Sequence, residues 1–297
     1  MAEVKGRTVR FRGKPLFTVV PSKIFVYVFL TALAVFMAVP LVYIVVTALK
    51  PIDELFIYPP RFFVRRPTLE NFSSLFSAMD SSVVPFSRYI FNSAFTTVFV
   101  VGGTVIVSSM GAYGLVKHRP PGSAVLFTII IMALTFGGHV TQIPNYLVVK
   151  QLGMINTYWA LIIPKIGVAY NMFLMKQFVE GLPDALIEAA RLDGANEWTI
   201  YTRIIMPFTR PAWATLIVFT FVANWNDSFS SMVFTTIDSM RSLPLAISTL
   251  AGGPGAASIA TAGLTAASSF LMIAPNIIIF TIMQARVNET MAHAGIK

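Results

Sequence analysis

The residue types that usually carry enzyme chemistry are scarce in this chain. It contains no cysteine and only three histidines, His118, His139 and His293, which are far apart in the sequence. Metal sites and thiol nucleophiles need such side chains at close spacing, so neither is expected. The phosphate-binding pattern GxxxxGK[ST] is also missing, and the nearest fragment, residues 13–15, lacks its spacing and its hydroxyl group. We therefore predict that this chain binds no cofactor and is not an enzyme by itself.

One lysine has an unusual position. Lys165 lies inside the apolar run 158–178, where a charge is costly and by default suggests a functional role. Three interpretations stay open from the sequence. The ammonium group reaches water along the helix, pairs with a carboxylate of another subunit, or attracts an acidic solute.

The overall composition indicates a membrane protein. Of the 297 residues, 56% are hydrophobic and only 12% are charged, whereas soluble domains have about 25% charged residues. So few charges cannot cover a water-soluble globule of this size. In a membrane protein the distribution of charged residues matters more than their sum, so the net charge of +9 does not by itself indicate a nucleic-acid partner, and none is expected.

The apolar runs predict an all-α integral membrane protein with six transmembrane helices. A spanning helix needs about 20 mostly apolar residues, and within lipid only a helix satisfies every backbone hydrogen bond inside its own segment. The third and fifth runs are short and meet polar residues early, so we expect these helices to end against other protein. The six predicted spans are Ile24–Leu49, Tyr89–Val116, Ala124 to about Val140, Tyr158–Phe178, Pro211 to about Trp225 and Leu264–Met283.

Lysine and arginine give a predicted orientation. With both termini in the cytoplasm, most of these residues fall on the inner side, as the positive-inside rule requires. Residues 1–23 then form a basic cytoplasmic tail against anionic lipid, and residues 24–297 form the six-helix domain. The first run is too long for a cleaved signal peptide. A long outer loop covers residues 50–88, and the large cytoplasmic loop covers residues 179–210.

The cytoplasmic loop has the pattern of two short helices joined by a sharp bend. Asp184 and Asn196 are residue types that cap helices, and Gly194 stands where a left-handed residue is needed between them. Helices of this length are not stable alone in water, so the pair needs a surface to dock against. An ordinary interfacial loop with a helical turn is the plainer alternative.

The spacing within this loop resembles the EAA motif of ATP-binding-cassette (ABC) importer permeases. The family pattern of Glu-Ala-Ala, a glycine, an isoleucine and Leu-Pro is matched at each position, except that Met206 replaces the leucine. This exchange preserves apolar volume. The resemblance implies that the loop couples the permease to an ATPase through Glu188, Ala189, Ala190, Arg191, Asp193, Gly194, Ala195, Ile204 and Pro207.

Further segments are similar to the carbohydrate-uptake, maltose-type branch of these permeases. They are residues 67–72 after the first span, 193–195 in the loop, 225–227 after the fifth span, 243–245 beyond it, and the tail 291–297. The stretch 137–164 resembles the subgroup that imports complex glycans, including pectin-derived oligosaccharides. The resemblance covers about residues 24–297.

The resemblance implies a fold, a set of partners and a location. The fold would be that of a type I ABC importer permease in the bacterial cytoplasmic membrane, crossing it several times. The partners would be a second, homologous permease subunit in a heterodimer, two copies of an ABC ATPase that hold ATP and magnesium, and an extracytoplasmic sugar-binding protein. The solute would be an oligosaccharide derived from a polysaccharide, and the acidic solute that Lys165 could attract would then be an acidic sugar such as a uronate.

Sugars are bound by aromatic faces and by polar groups that hydrogen-bond hydroxyls. Tryptophan and tyrosine at helix ends also form interfacial belts, and asparagine within spans also joins helices to each other, so these alternatives stay open. The candidates for the substrate path are Lys165, Tyr170, Asn171, Trp225, Asn226 and Asn276.

Two other functions fit parts of the pattern. The first is the same type of permease for a non-sugar solute. The second is a secondary transporter driven by an ion gradient, although such proteins usually contain internal repeats and none is evident here.

Overall fold

The computed structural model describes residues 21–80, 84–251 and 259–294, and every regular element within them is helical. The prediction of an all-α chain is confirmed. Most of the predicted basic tail, residues 1–23, lies outside the described residues, as do the last three residues of the chain.

In the part of the chain that the structure describes, three helices are long and apolar enough to cross a membrane without a break. They are α1 (Pro21–Ala48), α4 (Phe86–Tyr113) and α14 (Ile259–Ala294), and they match the first, second and sixth predicted spans. Helix α4 continues as one π-helical turn, Gly114–His118, and ends where Arg119 adopts a left-handed conformation. Between α1 and α4, the long outer loop contains α2 (Ile52–Leu55) and α3 (Glu70–Asp80).

The other three predicted spans each lie within a bent pair of helices, so the described residues contain up to six spans if each pair counts as one. The bends are 114° within the third span, 44° within the fourth and 74° at the start of the fifth. The pairs are α5 (Ser123–Leu134) with α6 (Gly138–Gln151), α7 (Tyr158–Ile166) with α8 (Ala169–Glu180), and α10 (Glu197–Phe208) with α11 (Arg210–Trp225). The short helices α9 (Asp184–Leu192), α12 (Phe229–Phe234) and α13 (Leu243–Ala251) complete the fold.

Two predicted boundaries are wrong because glycine and proline interrupt the runs. The third span was expected to reach about Val140, but the helix ends at Leu134 and Gly137 is extended. The fourth was expected to be continuous, but α7 ends at Ile166, two residues after Pro164, and Gly167 separates it from α8. Proline removes a helical hydrogen bond, and glycine makes a break inexpensive.

Helix α4 is the centre of the bundle and packs against α7, α8 and α11, while α14 packs against α1 and α11. The buried face of α4 consists mostly of small and polar residues between Asn92 and Ala112, while Phe86, Tyr89 and Tyr113 are buried near its two ends. This arrangement suits a bilayer, because small residues let helix backbones approach closely while large apolar side chains face the lipid. The buried polar residues of α4 are Asn92, Ser93, Thr96, Thr97, Thr104, Ser108 and Ser109.

The outer loop is anchored to the bundle by Asn71 of α3. Its amide nitrogen donates to the carbonyl oxygens of Ala48 (2.9 Å) and Lys50 (2.7 Å), so it satisfies acceptors at the end of α1. Gly263 of α14 lies directly against the same amide group, where a Cβ atom would overlap it. The glycine therefore allows α1, α3 and α14 to meet at one point.

This packing predicts opposite effects for two Gly→Ala substitutions. Gly102→Ala, at an open position of α4, should be neutral or stabilise by about 0.5–1 kcal/mol through helix propensity. Gly263→Ala should destabilise by about 1–3 kcal/mol because the Asn71 amide must move. Thermal unfolding in detergent measures both, and equal melting temperatures for the two variants would contradict the assigned contact.

Candidate functional site

An ion pair lies at the centre of the bundle. The Lys165 ammonium group, at the end of α7, is 2.5 Å from an Asp227 carboxylate oxygen and donates to the Asn224 amide oxygen at 2.7 Å. The Asn224 amide nitrogen in turn donates to the hydroxyl of Thr97 on α4 at 2.8 Å. This network connects α7, the end of α11 and α4.

The partner of Lys165 was left open by the sequence, and the structure supplies it from the same chain. A carboxylate of another subunit is not needed for pairing. The sequence contained a signal for this pairing, because Asp227 is the only acidic residue between Glu197 and Asp238. Its place beyond a helix break obscured its closeness to Lys165.

The ion pair borders a cavity of about 360 Å³ that is also lined by Tyr170 and Asn171. Three of the predicted path residues are thus brought together. Asn171 is buried and its side chain lines the cavity. The buried hydroxyl of Thr220, which also lines the cavity, is unpartnered among the described residues. Phe219 adds an aromatic face 6.1 Å from the Tyr170 ring. The cavity therefore offers an amide, a hydroxyl and aromatic rings to a polar solute.

The other predicted path residues lie elsewhere. Trp225 is 7% exposed and stacks on Phe221 (ring centroids 5.7 Å apart) in a core cluster with Tyr89, away from the cavity. The Asn276 amide nitrogen donates to the Asn226 amide oxygen at 3.3 Å, linking α14 to the end of α11. Successive residues of a helix point in different directions, so Asn224 rather than Trp225 reaches the cavity. The assignment of Trp225, Asn226 and Asn276 to the path stays a prediction that this packing does not support.

The large loop forms the two helices expected from its sequence, α9 and the start of α10, with Gly194 left-handed between them (φ +79°). Asn196 caps α10 by accepting the backbone N–H of Thr199 at 2.8 Å, as predicted. Asp184 does not cap α9. It is the first helical residue, and its carboxylate accepts a hydrogen bond from Lys117 at 2.6 Å.

The two faces of the loop differ in burial. Ile187, Ile200 and Ile205 are buried against the end of the bundle, and Ala190, Ala195, Ile204 and Met206 pack around them. The outer face carries exposed Glu188, Ala189, Arg191, Asp193 and Gly194 beside Leu192, which is 89% exposed, and Trp198, which is 64% exposed. Pro207 is half-buried near the start of α11. Large apolar side chains beside charges of both signs are typical of a docking surface for another protein.

Glu197 was not predicted as a site residue, yet it joins the loop to α4. One of its carboxylate oxygens accepts the Tyr113 hydroxyl at 2.5 Å and lies 3.3 Å from the His118 ring nitrogen. The other accepts Arg191 at 2.9 Å. A second contact, 2.7 Å between the hydroxyls of Ser109 and Tyr201, ties α10 to the same helix. Side-chain contacts therefore connect the loop directly to α4.

Hydrogen bonding lowers the pKa of two carboxyl groups in the loop. The bond from Tyr113, with Arg191 and His118 nearby, lowers the pKa of Glu197, and the bond and charge of Lys117 lower the pKa of Asp184. A lowered pKa means that each contact contributes fully above the ordinary carboxyl range of about 4 and is lost as the pH falls through the lowered value. Both contacts are therefore intact at neutral pH.

The chain belongs to the family of binding-protein-dependent transport system inner membrane components, whose model matches residues 15–292. It is therefore a membrane transport subunit and not itself an enzyme.

Curated relatives include two proteins of Bacillus subtilis. The polygalacturonan/rhamnogalacturonan transport system permease protein YtcP is 29% identical over 209 residues, which cover 70% of this chain and 71% of that protein. LplC is 33% identical over 211 residues, covering 69% and 68%. The arabinooligosaccharides transport system permease AraQ of Halalkalibacterium halodurans is 26% identical and covers 91% and 94%.

A solved structure has the same fold. It is a crystal structure of a bacterial ABC transporter involved in the import of the acidic polysaccharide alginate. One of its chains aligns with a TM-score of 0.74 and 24% identity, covering 92% of this chain and 99% of that one. The fold of a type I ABC importer permease, expected from the sequence, is confirmed.

The ion pair can be tested by a double-mutant cycle. Lys165→Met or Asp227→Asn alone should each destabilise the protein, because each leaves one partly buried charge without its counterpart; we expect about 1–3 kcal/mol at this partial exposure. The double variant should recover most of the loss. Melting temperatures in detergent give the coupling, and strictly additive losses would mean that the two side chains do not interact.

Proposed function

We propose that this chain is the permease subunit of an ATP-driven importer that takes up oligosaccharides delivered by an extracytoplasmic binding protein. The observation that carries this proposal is the cavity beside the ion pair. The Asn171 amide, the unpartnered Thr220 hydroxyl and the ring of Tyr170 are the kinds of group that recognise sugars. The names of YtcP and AraQ, which refer to polygalacturonan/rhamnogalacturonan and to arabinooligosaccharides, support the same class of solute.

The charge of the cavity bears on the kind of sugar. Lys165 is neutralised by Asp227 in this structure, so the cavity accepts a neutral sugar without an unpaired charge. The carboxylate of an acidic sugar would compete with Asp227 for the same ammonium group. Polygalacturonan and alginate, in the names of YtcP and the structural neighbour, are acidic, which makes polysaccharide-derived acidic oligosaccharides the first solutes to test.

The loop at 179–210 is proposed to bind one of two ABC ATPase subunits. Its exposed face would enter a groove on the ATPase, with Gly194 allowing the bend and Glu188 contacting the partner. ATP and magnesium would be held by the ATPase subunits. Closure of the ATPase pair would move the loop, and the Glu197 contacts would carry this movement to α4 and the cavity. This is alternating access by rigid-body motion.

An ATPase partner at the loop implies one orientation of the chain in the membrane. The loop would face the cytoplasm, together with both termini, and the region around α3 would face outwards. Six spans form half of a pore, so a second, homologous permease would complete the cavity in a heterodimer. The family description, an inner membrane component that depends on a binding protein, supports a multi-subunit importer over a transporter driven by an ion gradient.

A non-sugar solute is the second candidate. A relative from Yersinia enterocolitica, the sn-glycerol-3-phosphate transport system permease UgpE, is 31% identical over 188 residues. Its named solute is a small phosphate ester, so family membership alone does not select a saccharide.

Uptake by the complete importer tests the solute and the energy source together. In lipid vesicles that contain the permeases, the ATPase and the binding protein, we expect ATP-dependent uptake of galacturonate or arabinose oligomers that vanadate abolishes. Glycerol-3-phosphate serves as the competing solute. Uptake of glycerol-3-phosphate alone would select the second candidate, and uptake without ATP would exclude an ABC importer.

Coupling is tested at Gly194 with a matched control. Gly194→Asp puts a charged side chain on the proposed docking face and should lower uptake more than tenfold while the complex still assembles. Gly153→Asp changes another left-handed glycine (φ +67°) with open space around it, which follows the end of α6 and lies outside the loop. It carries the same backbone cost and should keep uptake. Normal uptake by Gly194→Asp at wild-type protein levels would contradict the coupling role.

A further inference from the structure

A second cavity lies on the other side of Asp227. It measures about 290 Å³ and is lined by His139, Gln142 and Asn145 of α6 together with Asp227 and Ser230. The three α6 residues are spaced three apart, so they share one face of the helix. That face points into the cavity only because the chain turns by 114° between α5 and α6.

The two cavities lie in sequence along the bundle. The first contains Tyr170 and Asn171 of α8, towards the coupling loop. The second contains Phe234, whose carbonyl oxygen accepts the backbone N–H of Asn156 before the start of α7, so it lies towards the opposite end. Asp227 lines both. A solute delivered from the side opposite the loop meets the second cavity first.

The chemistry of the second cavity matches a polyhydroxylated ligand. It presents two amides, an imidazole and a serine hydroxyl, next to the aromatic rings of Phe229 and Phe234. Polar groups at membrane depth are costly unless they face a cavity or other protein. The opposite face of α6 is apolar, and Ile143 there is 73% exposed. A cation is a poor occupant, because Asp227 is the only acid in the wall and is already paired with Lys165.

The volume of each cavity limits the length of saccharide that it can hold. Ligand pockets usually measure about 300–1,000 Å³, and each of these two cavities is at the lower end of that range or just below it. A short saccharide fits in one of them, whereas a longer one has room only if it occupies both and passes Asp227.

From this arrangement we infer that the polar face of α6 is a second saccharide subsite, which holds the trailing sugar units of an oligosaccharide while the leading units occupy the cavity beside Lys165. Gln142 and Asn145 hydrogen-bond the hydroxyls of the trailing units. These residues set the length of solute that is taken up. The inference rests on the proposed function and adds a length-selecting site to it.

The test compares the lengths of transported saccharides. Gln142→Leu and Asn145→Leu remove hydrogen-bonding groups of the subsite with little change in volume. Gln151→Leu is the matched control, because Gln151 is exposed at the end of α6 and does not line the cavity. The complete importer is reconstituted in vesicles, and uptake of galacturonate and arabinose oligomers of two to four units is measured for each variant.

The ratio of tetrasaccharide to disaccharide uptake is the readout, since it cancels differences in the amount of folded protein. We expect it to fall about fivefold in Gln142→Leu and in Asn145→Leu, an effect typical of one lost hydrogen bond, and to keep the wild-type value in Gln151→Leu. An unchanged ratio in both subsite variants, or an equal fall in the control, overturns the subsite. Wild-type vesicles that take up neither series overturn the proposed function and the subsite with it.

Discussion

A lysine within an apolar helix must be paired or reach water, and this requirement organises the middle of the protein. Lys165 meets it by binding Asp227 and Asn224, which lie at the end of α11. Asn224 then binds Thr97 of α4. Because an isolated charge in lipid is costly, the pairing of Lys165 connects three helices, and Asp227 of this pair lines both cavities.

The same logic applies at the coupling end, where the link is polar but exposed. Glu197 contacts Tyr113 and His118 at the end of α4, and it also accepts a hydrogen bond from Arg191 of α9. Exposed ion pairs contribute little to stability, so the main effect of this cluster is to position the loop. It fixes the bend of the loop against the central helix, and the buried isoleucines beneath it make the loop and the bundle end a single packed unit.

Breaks in the spans serve the same architecture. Gly137 and Gly167 lie at helix breaks, in places where an unbroken helix would cross the bilayer. Backbone groups freed at membrane depth must face protein or a cavity, and the breaks here lie beside the two cavities. The turn after α5 brings His139, Gln142 and Asn145 to Asp227, so a polar surface forms inside a chain that is mostly apolar.

Local patterns in the sequence were sufficient for the helical class, the unbroken spans α1, α4 and α14, the bend at Gly194 and the cap at Asn196, because apolar run length, helix capping and left-handed glycine depend on near neighbours in the chain. The partner of Lys165, the burial of Trp225, the role of Asp184 and the Glu197 cluster were decided only by the tertiary structure. Each depends on which helices lie side by side, joining positions such as Lys165 and Asp227 that are separated by a break or a loop, and no local pattern encodes that adjacency.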